Sequence, residues 1–189
     1  LSGIIATLNG WATLALNIHH AGDPAMSALC ALPPDFDAAY FRSALSQFAT
    51  GVTVVITQGT DGAFHGLTVN SFSSVSLEPP LVLWSLANKA RSMAAFSECS
   101  HYIINLLAED QVDLALRFSR QSENRFESLK FDTSRTGLPI LDGVAAWFEC
   151  QNRSRYQEGD HLIFVGQVER CQMKPSRALG FHGGRFLAI

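Results

Sequence analysis

Hydrophobic and polar positions change their rhythm several times along the chain, and each change predicts an element. Apolar residues recur at helical spacing over Phe36, Tyr40, Ala44, Leu45 and Phe48, with Asp35 placed to cap them. This predicts an amphipathic helix, ended by Thr50-Gly51, that covers one end of a barrel. Val52 to Thr57 is rich in β-branched residues, Gly59 to Gly62 reads as a turn, and Phe64 to Ser71 returns as a hairpin partner. Within that return, Leu67 to Ser71 alternates, which argues a half-buried strand. A serine-rich run from Ser71 to Ser76 supplies hydroxyls and backbone N–H groups with little bulk. Pro79-Pro80 cannot donate to a ladder and falls between strands or on an edge. Leu81 to Trp84 is then apolar on both faces, the pattern of a strand buried on both sides.

Downstream, Met93 and Phe96 share one face of a short helix, and His101 to Leu107 reads as a strand. Glu109-Asp110 opens a helix that puts Val112, Ala115, Leu116 and Ser119 along one face. Residues 120–135 are polar and irregular, a loop containing Arg125-Phe126. A long strand from Val144 to Tyr156 turns at residues 157–160 and returns over His161 to Cys171. The tail, Leu179 to Ile189, carries paired glycines that allow close backbone approach. Many strands, three short helices and long hairpins predict a mainly β chain, a closed or split β-barrel with peripheral helices.

Composition narrows the chemistry. The 189 residues suffice for one domain with a core. Only 16% are charged, low for a globular chain, which suits a surface partly covered by another subunit. A net charge of −3 offers no basic footprint for nucleic acid or anionic membrane. Cys30, Cys99, Cys150 and Cys171 are widely spaced, without a CxxC pair, and read as reduced thiols of a cytoplasmic protein rather than metal ligands. Residues 1–32 form an N-terminal extension, apolar but broken by Gly3, Asn9 and Gly10, too interrupted for a clean membrane span. It lacks the basic start of a signal peptide. Two readings of it are open: an upstream stretch preceding a start at Met26, or an apolar arm on a neighbouring subunit. His19-His20 lacks a third ligand within sequence reach. The organised domain is expected over residues 33–189.

No GxGxxG follows a strand, and neither a GxxxxGK[ST] loop nor a GxSxG elbow occurs. What remains is a polar, hydroxyl-lined strand end beside a rigid strand, suited to a flat heteroaromatic ligand with many hydrogen-bonding atoms. Lys89, Arg91 and Ser92 stand where a strand ends and a helix starts. They form either an anion corner or a solvated turn with an ordinary cap. His161, after the Gly159-Asp160 turn, is by local sequence a residue at a hairpin rim.

From about Phe41 to Phe186 the chain resembles the short-chain NAD(P)H:flavin reductases, the reductase components of two-component flavin monooxygenases. The resemblance rests on FATGVTVVIT (Phe48 to Thr57), GLTVNSFSSVSLEPPLVLWSL (Gly66 to Leu86), NLLAEDQ (Asn105 to Gln111) and Arg125-Phe126. GLPILDGVAAWFEC (Gly137 to Cys150) and GDHLIFVGQV (Gly159 to Val168) complete it, in matching order. It implies an FMN-binding split barrel, Greek-key-like, acting as a homodimer. It implies an NAD(P)H:flavin oxidoreductase that uses NADH or NADPH to reduce FMN or FAD for a partner oxygenase. Thr68, Val69, Asn70 and Ser71 then match the strand end at the isoalloxazine edge, contacted largely through backbone. Ser85, Leu86, Ala87 and Asn88 match the segment along the ring and ribityl chain, and Ser92 the hydroxyl at the flavin phosphate. The family often has Ser where Ala90 stands and Lys where Asn88 stands, so Lys89 or Arg91 is expected to carry the charge. Arg125 and Phe126 belong to the same cofactor set. Arg177 to Gly180 departs from the family's usual PLL before the C-terminal aromatic stretch. His161 matches the histidine on the nicotinamide side, where His161→Asn is expected to recover part of what His161→Ala loses. The alternatives within the fold are a flavin-holding redox carrier and an oxidase of a pyridoxine-like phosphate. Outside it stands an interaction module that binds no flavin.

Overall fold

Alternation and turn chemistry build the centre of the chain as expected. In the computed structural model, which describes residues 34–120 and 124–189, β2 (Thr53–Gln58) and β3 (Phe64–Val69) pair antiparallel from Thr53↔Val69 to Gln58↔Phe64. The turn between them contains Gly62 at φ +80°, and the Asp61 carboxylate accepts the Ala63 N–H. The expectations placed on residues 1–32 lie outside the described residues. Residues 38–189 form one unit, which holds every helix and strand among the described residues.

Seven strands join in the order β3-β2-β6-β9-β10-β5-β4, with β6 at His101–Leu106, β9 at Ala146–Glu158, β10 at His161–Met173, β5 at Pro80–Ala87 and β4 at Ser73–Leu77. Laid flat, such a sheet would separate its edge strands by roughly 30 Å. Yet the edges β3 and β4 are consecutive in the chain, joined only through Asn70, Ser71 and Phe72, a link that reaches at most about 14 Å. The sheet must therefore curl until its edges approach, leaving a split between them. A small sheet adds β1 (Thr50–Gly51), β11 (Leu179–His182) and β12 (Arg185–Ala188), and β7 (Phe131–Thr133) pairs with β8 (Pro139–Leu141). No helix among the described residues is long and apolar enough to cross a membrane.

Two cores lie on the two faces of this sheet. Val55, Trp84, Leu86, Phe96, Tyr102, Ile104 and Phe164 fill the interior. Trp84 stacks on Phe164 with ring centroids 4.6 Å apart, and Phe96 and Tyr102 meet the Trp84 ring edge-on. A Cβ at Gly166 would stand 2.3 Å from the Tyr102 hydroxyl, so only glycine lets that ring in. Burial pushes both the Tyr102 hydroxyl and the Cys150 thiol above their ordinary pKa values, with nearby thiols or carboxylates adding to the effect. The outer core takes the alternate residues, Val54, Ile56 and Ile103, under Ala115 and Phe118 of α3 (Val112–Ser119).

Three expectations are corrected, and one unassigned stretch finds its element. The helix α1 is Ala38–Leu45 with no buried residue; Leu45 is 56% and Phe48 77% exposed, so it does not seal the barrel. The serine run, given no element by its sequence, forms strand β4 by pairing with β5. β5 is not buried on both faces. Val82, Trp84 and Leu86 point inward, while Leu81, Leu83 and Ser85 remain half-exposed. On α3, Phe118 rather than Ser119 faces the core, and the helix starts at Val112, with Gln111 accepting the Ala108 N–H and donating to the Asp142 carbonyl.

Candidate functional site

β3 is an edge strand, so one row of its backbone groups faces the split without a strand partner. Where β3 ends, the Ser71 hydroxyl accepts the Ser85 N–H at 3.0 Å and donates to the Ser85 carbonyl at 3.3 Å. One hydroxyl thus takes the place of a strand pair and clasps the end of β3 to β5. From Ser85 the strand runs to Ala87, which lies opposite His161 in the β5–β10 register. The Asn88 N–H donates to the Asp160 carbonyl at 2.9 Å, fixing the β9–β10 turn to the end of β5. The stretches Asn70–Ser71, Ser85–Asn88 and Asp160–His161, far apart in sequence, form one rim.

A cationic corner borders that split. Arg125 Nη1 donates to the Gly66 carbonyl at 2.6 Å on the middle of β3. A Cβ at Gly66 would come within 2.8 Å of Phe118 and 3.1 Å of Phe126, so glycine is what lets the Arg125-Phe126 loop lie against the strand. Arg125 Nε is buried and has no hydrogen-bond partner. Burial, and then the nearby Arg91 charge, hold the Arg125 guanidinium below its ordinary pKa. Two like charges brought together, one with an orphaned donor, is an arrangement an anion relieves. Ser92 precedes α2 (Met93–Glu98) and its hydroxyl makes no capping bond. The Lys89 charge contributes slightly at Asp160, whose carboxylate is held below its usual range chiefly by the His161 hydrogen bond. Of the two cations expected at a phosphate, Arg91 is the one beside Arg125.

Other predicted residues contribute backbone or support. Val69 and Leu86 turn their side chains into the interior. The Thr68 hydroxyl donates to the Ala115 carbonyl at 2.6 Å, tying β3 to α3. Phe126 packs in the outer cluster, its ring 5.2 Å from Phe118 and 5.7 Å from Phe64. Sequence reasoning assigns no site role to Asp160 or Gly66. The first shows its role only once its neighbour's ring is placed. The second acts through a residue 59 positions away. Two open cavities, of about 510 and 340 Å³, lie elsewhere, lined by Arg135, Thr136, Glu169 and Arg170 and by Thr57, Cys99, Ser100 and His101 among others. Among the described residues no group of three or more His, Cys, Asp or Glu could hold a metal ion.

The curled antiparallel barrel is the fold of a split barrel, and comparison bears out that fold. A family model described as the flavin reductase like domain matches residues 45–189, and the chain belongs to that family. It is 44% identical over 146 residues to the FMN reductase (NADH) SmoA of Agrobacterium fabrum, covering 77% of this chain and 83% of that one. It is 42% identical over 145 residues to the reductase component of the flavin-dependent trigonelline monooxygenase of Acinetobacter baylyi, spanning 77% of this chain and 47% of that relative. Among solved structures, the NADH:FAD oxidoreductase SgcE6 of Streptomyces globisporus, in complex with NAD and FAD fragments, superposes with a TM-score of 0.78. That match is at 32% identity and covers 84% of this chain and 96% of that one.

Proposed function

We propose that this chain is a cytoplasmic, homodimeric NAD(P)H-dependent reductase of FMN or FAD that supplies reduced flavin to a partner oxygenase. The observation that carries the reading is the union of the Ser71–Ser85 clasp, the Arg91–Arg125 corner and the His161 hairpin around one split. The residues fit a flavin. Asn70, Ser71 and the free edge of β3 offer backbone groups to the ring edge, and Ser85 to Asn88 run alongside. Arg91, Arg125 and Ser92 offer donors to the phosphate, Arg125 with a donor that the protein leaves unpaired. His161 stands across from Ala87, a position that suits the nicotinamide side the family resemblance implies. When bound, the flavin supplies the redox chemistry, accepting reducing equivalents from the nicotinamide. The chain's part is to orient both ligands and to present fixed dipoles and positive charge to the flavin. Relatives named as reductases and as a monooxygenase's reductase component support the activity and the partner. The exposed apolar residues Leu45, Phe48 and Leu77 and the half-exposed outer face of β5 support a second copy. The unpaired thiols of Cys99, Cys150 and Cys171 support a reducing compartment.

The test is consumption of NADH and of NADPH by the purified full chain, with free FMN, FAD and riboflavin as acceptors. Flavin-dependent oxidation of at least one nicotinamide is expected. No consumption above the protein-free rate with any flavin would falsify the reading.

A further inference from the structure

Two side chains at the tip of the β9–β10 hairpin make contacts that the split itself does not explain. Gln157 Nε2 donates to the Gly159 and His161 carbonyls, both at 3.0 Å, which brackets the turn. The Asp160 carbonyl accepts the Asn88 N–H, so the turn is also tied to β5. On this fixed base the Asp160 Oδ1 lies 2.7 Å from His161 Nδ1. An ionised carboxylate has no proton to give and can only accept. Its pKa is held down by this same bond. The proton between them therefore sits on His161 Nδ1, and the bond fixes the ring's orientation as well as its tautomer. The nitrogen left over is Nε2, whose lone pair in the neutral ring accepts a hydrogen bond.

We propose that Asp160 is a positioning residue: by taking the Nδ1 proton it turns His161 Nε2 toward the nicotinamide as an acceptor for the carboxamide N–H group. This rests on His161 lying on the nicotinamide side. It also alters what the sequence leads one to expect of substitutions. An asparagine side chain places its amide near the reach of Nδ1, the atom Asp160 already occupies. A glutamine side chain reaches to the position of Nε2. Gln, not Asn, is the substitute that mimics the contact.

Steady-state kinetics on the full-length protein, with flavin affinity measured in parallel by fluorescence titration, tests this. Asp160→Ala keeps the backbone carbonyl that holds Asn88. It raises the KM for the nicotinamide about five- to tenfold, the loss of one hydrogen bond's worth of orientation, and leaves flavin affinity unchanged. Asp160→Asn, whose amide oxygen still accepts from Nδ1, stays within about twofold of the wild type. His161→Gln recovers more of the His161→Ala loss than His161→Asn does. If His161→Ala is impaired while Asp160→Ala is normal, or if Asn rescues as well as Gln, Asp160 does not orient the ring and the proposal fails, with the reductase reading intact. If His161→Ala itself changes nothing, the nicotinamide-side placement fails and the proposal goes with it.

Discussion

β2 and β5 look alike in sequence and differ in the fold. Both carry runs of apolar residues, TVVITQ and PLVLWSLA, but only the second is expected from its sequence to be covered on two faces. It is β2 that is covered on both: Val54 and Ile56 lie in the outer core with α3 while Val55 points inward, and all three are fully buried. β5 is covered on one face only. Trp84 is fully buried, but Leu81, Leu83 and Ser85, on the other face, remain half-exposed. An apolar run reports that a strand needs two covers; it does not say which molecule supplies them. The half-covered strand is also the one that carries Ser85 to Asn88 into the split, so the open face and the site share one element.

The largest effect that sharpens this comparison belongs to the interior. Trp84→Ala should cost about 3–5 kcal/mol, since it empties the centre of the Trp84–Phe164 stack. Leu83→Ala, one residue away on the open face, should cost less than about 1.5 kcal/mol at low protein concentration. Its cost should grow with concentration as a second copy covers that face. Denaturant unfolding at several concentrations measures both. Equal costs at every concentration would break the distinction between the two faces.

Next in size is the cationic corner. Arg91→Ala combined with Ser92→Ala should weaken FMN by about 1.5–3 kcal/mol and riboflavin far less, because only FMN carries the phosphate. Titration with the two flavins decides it, and equal losses would move the phosphate away from Arg125.

The smallest effect concerns how a cover is fastened. Glu149 is 1% exposed on β9, and its Oε1 accepts the Thr136 N–H at 2.9 Å and the Thr136 hydroxyl at 2.6 Å, holding the β7–β8 loop. Burial works against its charge. Hydrogen bonds from Ser134 and Thr136 and the Arg170 charge outweigh that and hold its pKa below the ordinary 4.5. A depressed carboxylate stabilises fully above its unfolded value and loses that contribution as pH falls through the folded one. Melting temperature should therefore fall more steeply for the wild type than for Glu149→Gln as pH drops below 4.5. Parallel curves in that window would show that Glu149 is not what ties the loop down.

Local pattern reached most of the strands because alternation and turn residues are local signals. It left Ser73–Leu77 without an element, since that stretch owes its strand form to pairing with β5 rather than to a local signal. It overrated α1, whose spacing shows an apolar face but not what lies opposite. At the site, hydroxyl-rich Asn70–Ser71 and the Lys89–Ser92 cluster were visible as chemistry, while their roles came from family resemblance. The fold adds the connections: Ser71 to Ser85 across 14 residues and Arg125 to Gly66 across 59, neither of which any periodicity encodes. It also sets the Arg91 charge close enough to Arg125 to lower that guanidinium's pKa.

The central claim is that flavin and nicotinamide meet between β5 and the β9–β10 hairpin, with His161 on the nicotinamide side. The most direct measurement is rapid anaerobic mixing of the His161→Ala protein, saturated with flavin, against increasing nicotinamide, following loss of the oxidised-flavin absorbance. The account predicts flavin affinity close to wild type, with reduction slowed or saturating only at higher nicotinamide concentration. Loss of flavin affinity, with the remaining bound flavin reduced at the wild-type rate, would place His161 in the flavin site and contradict the account.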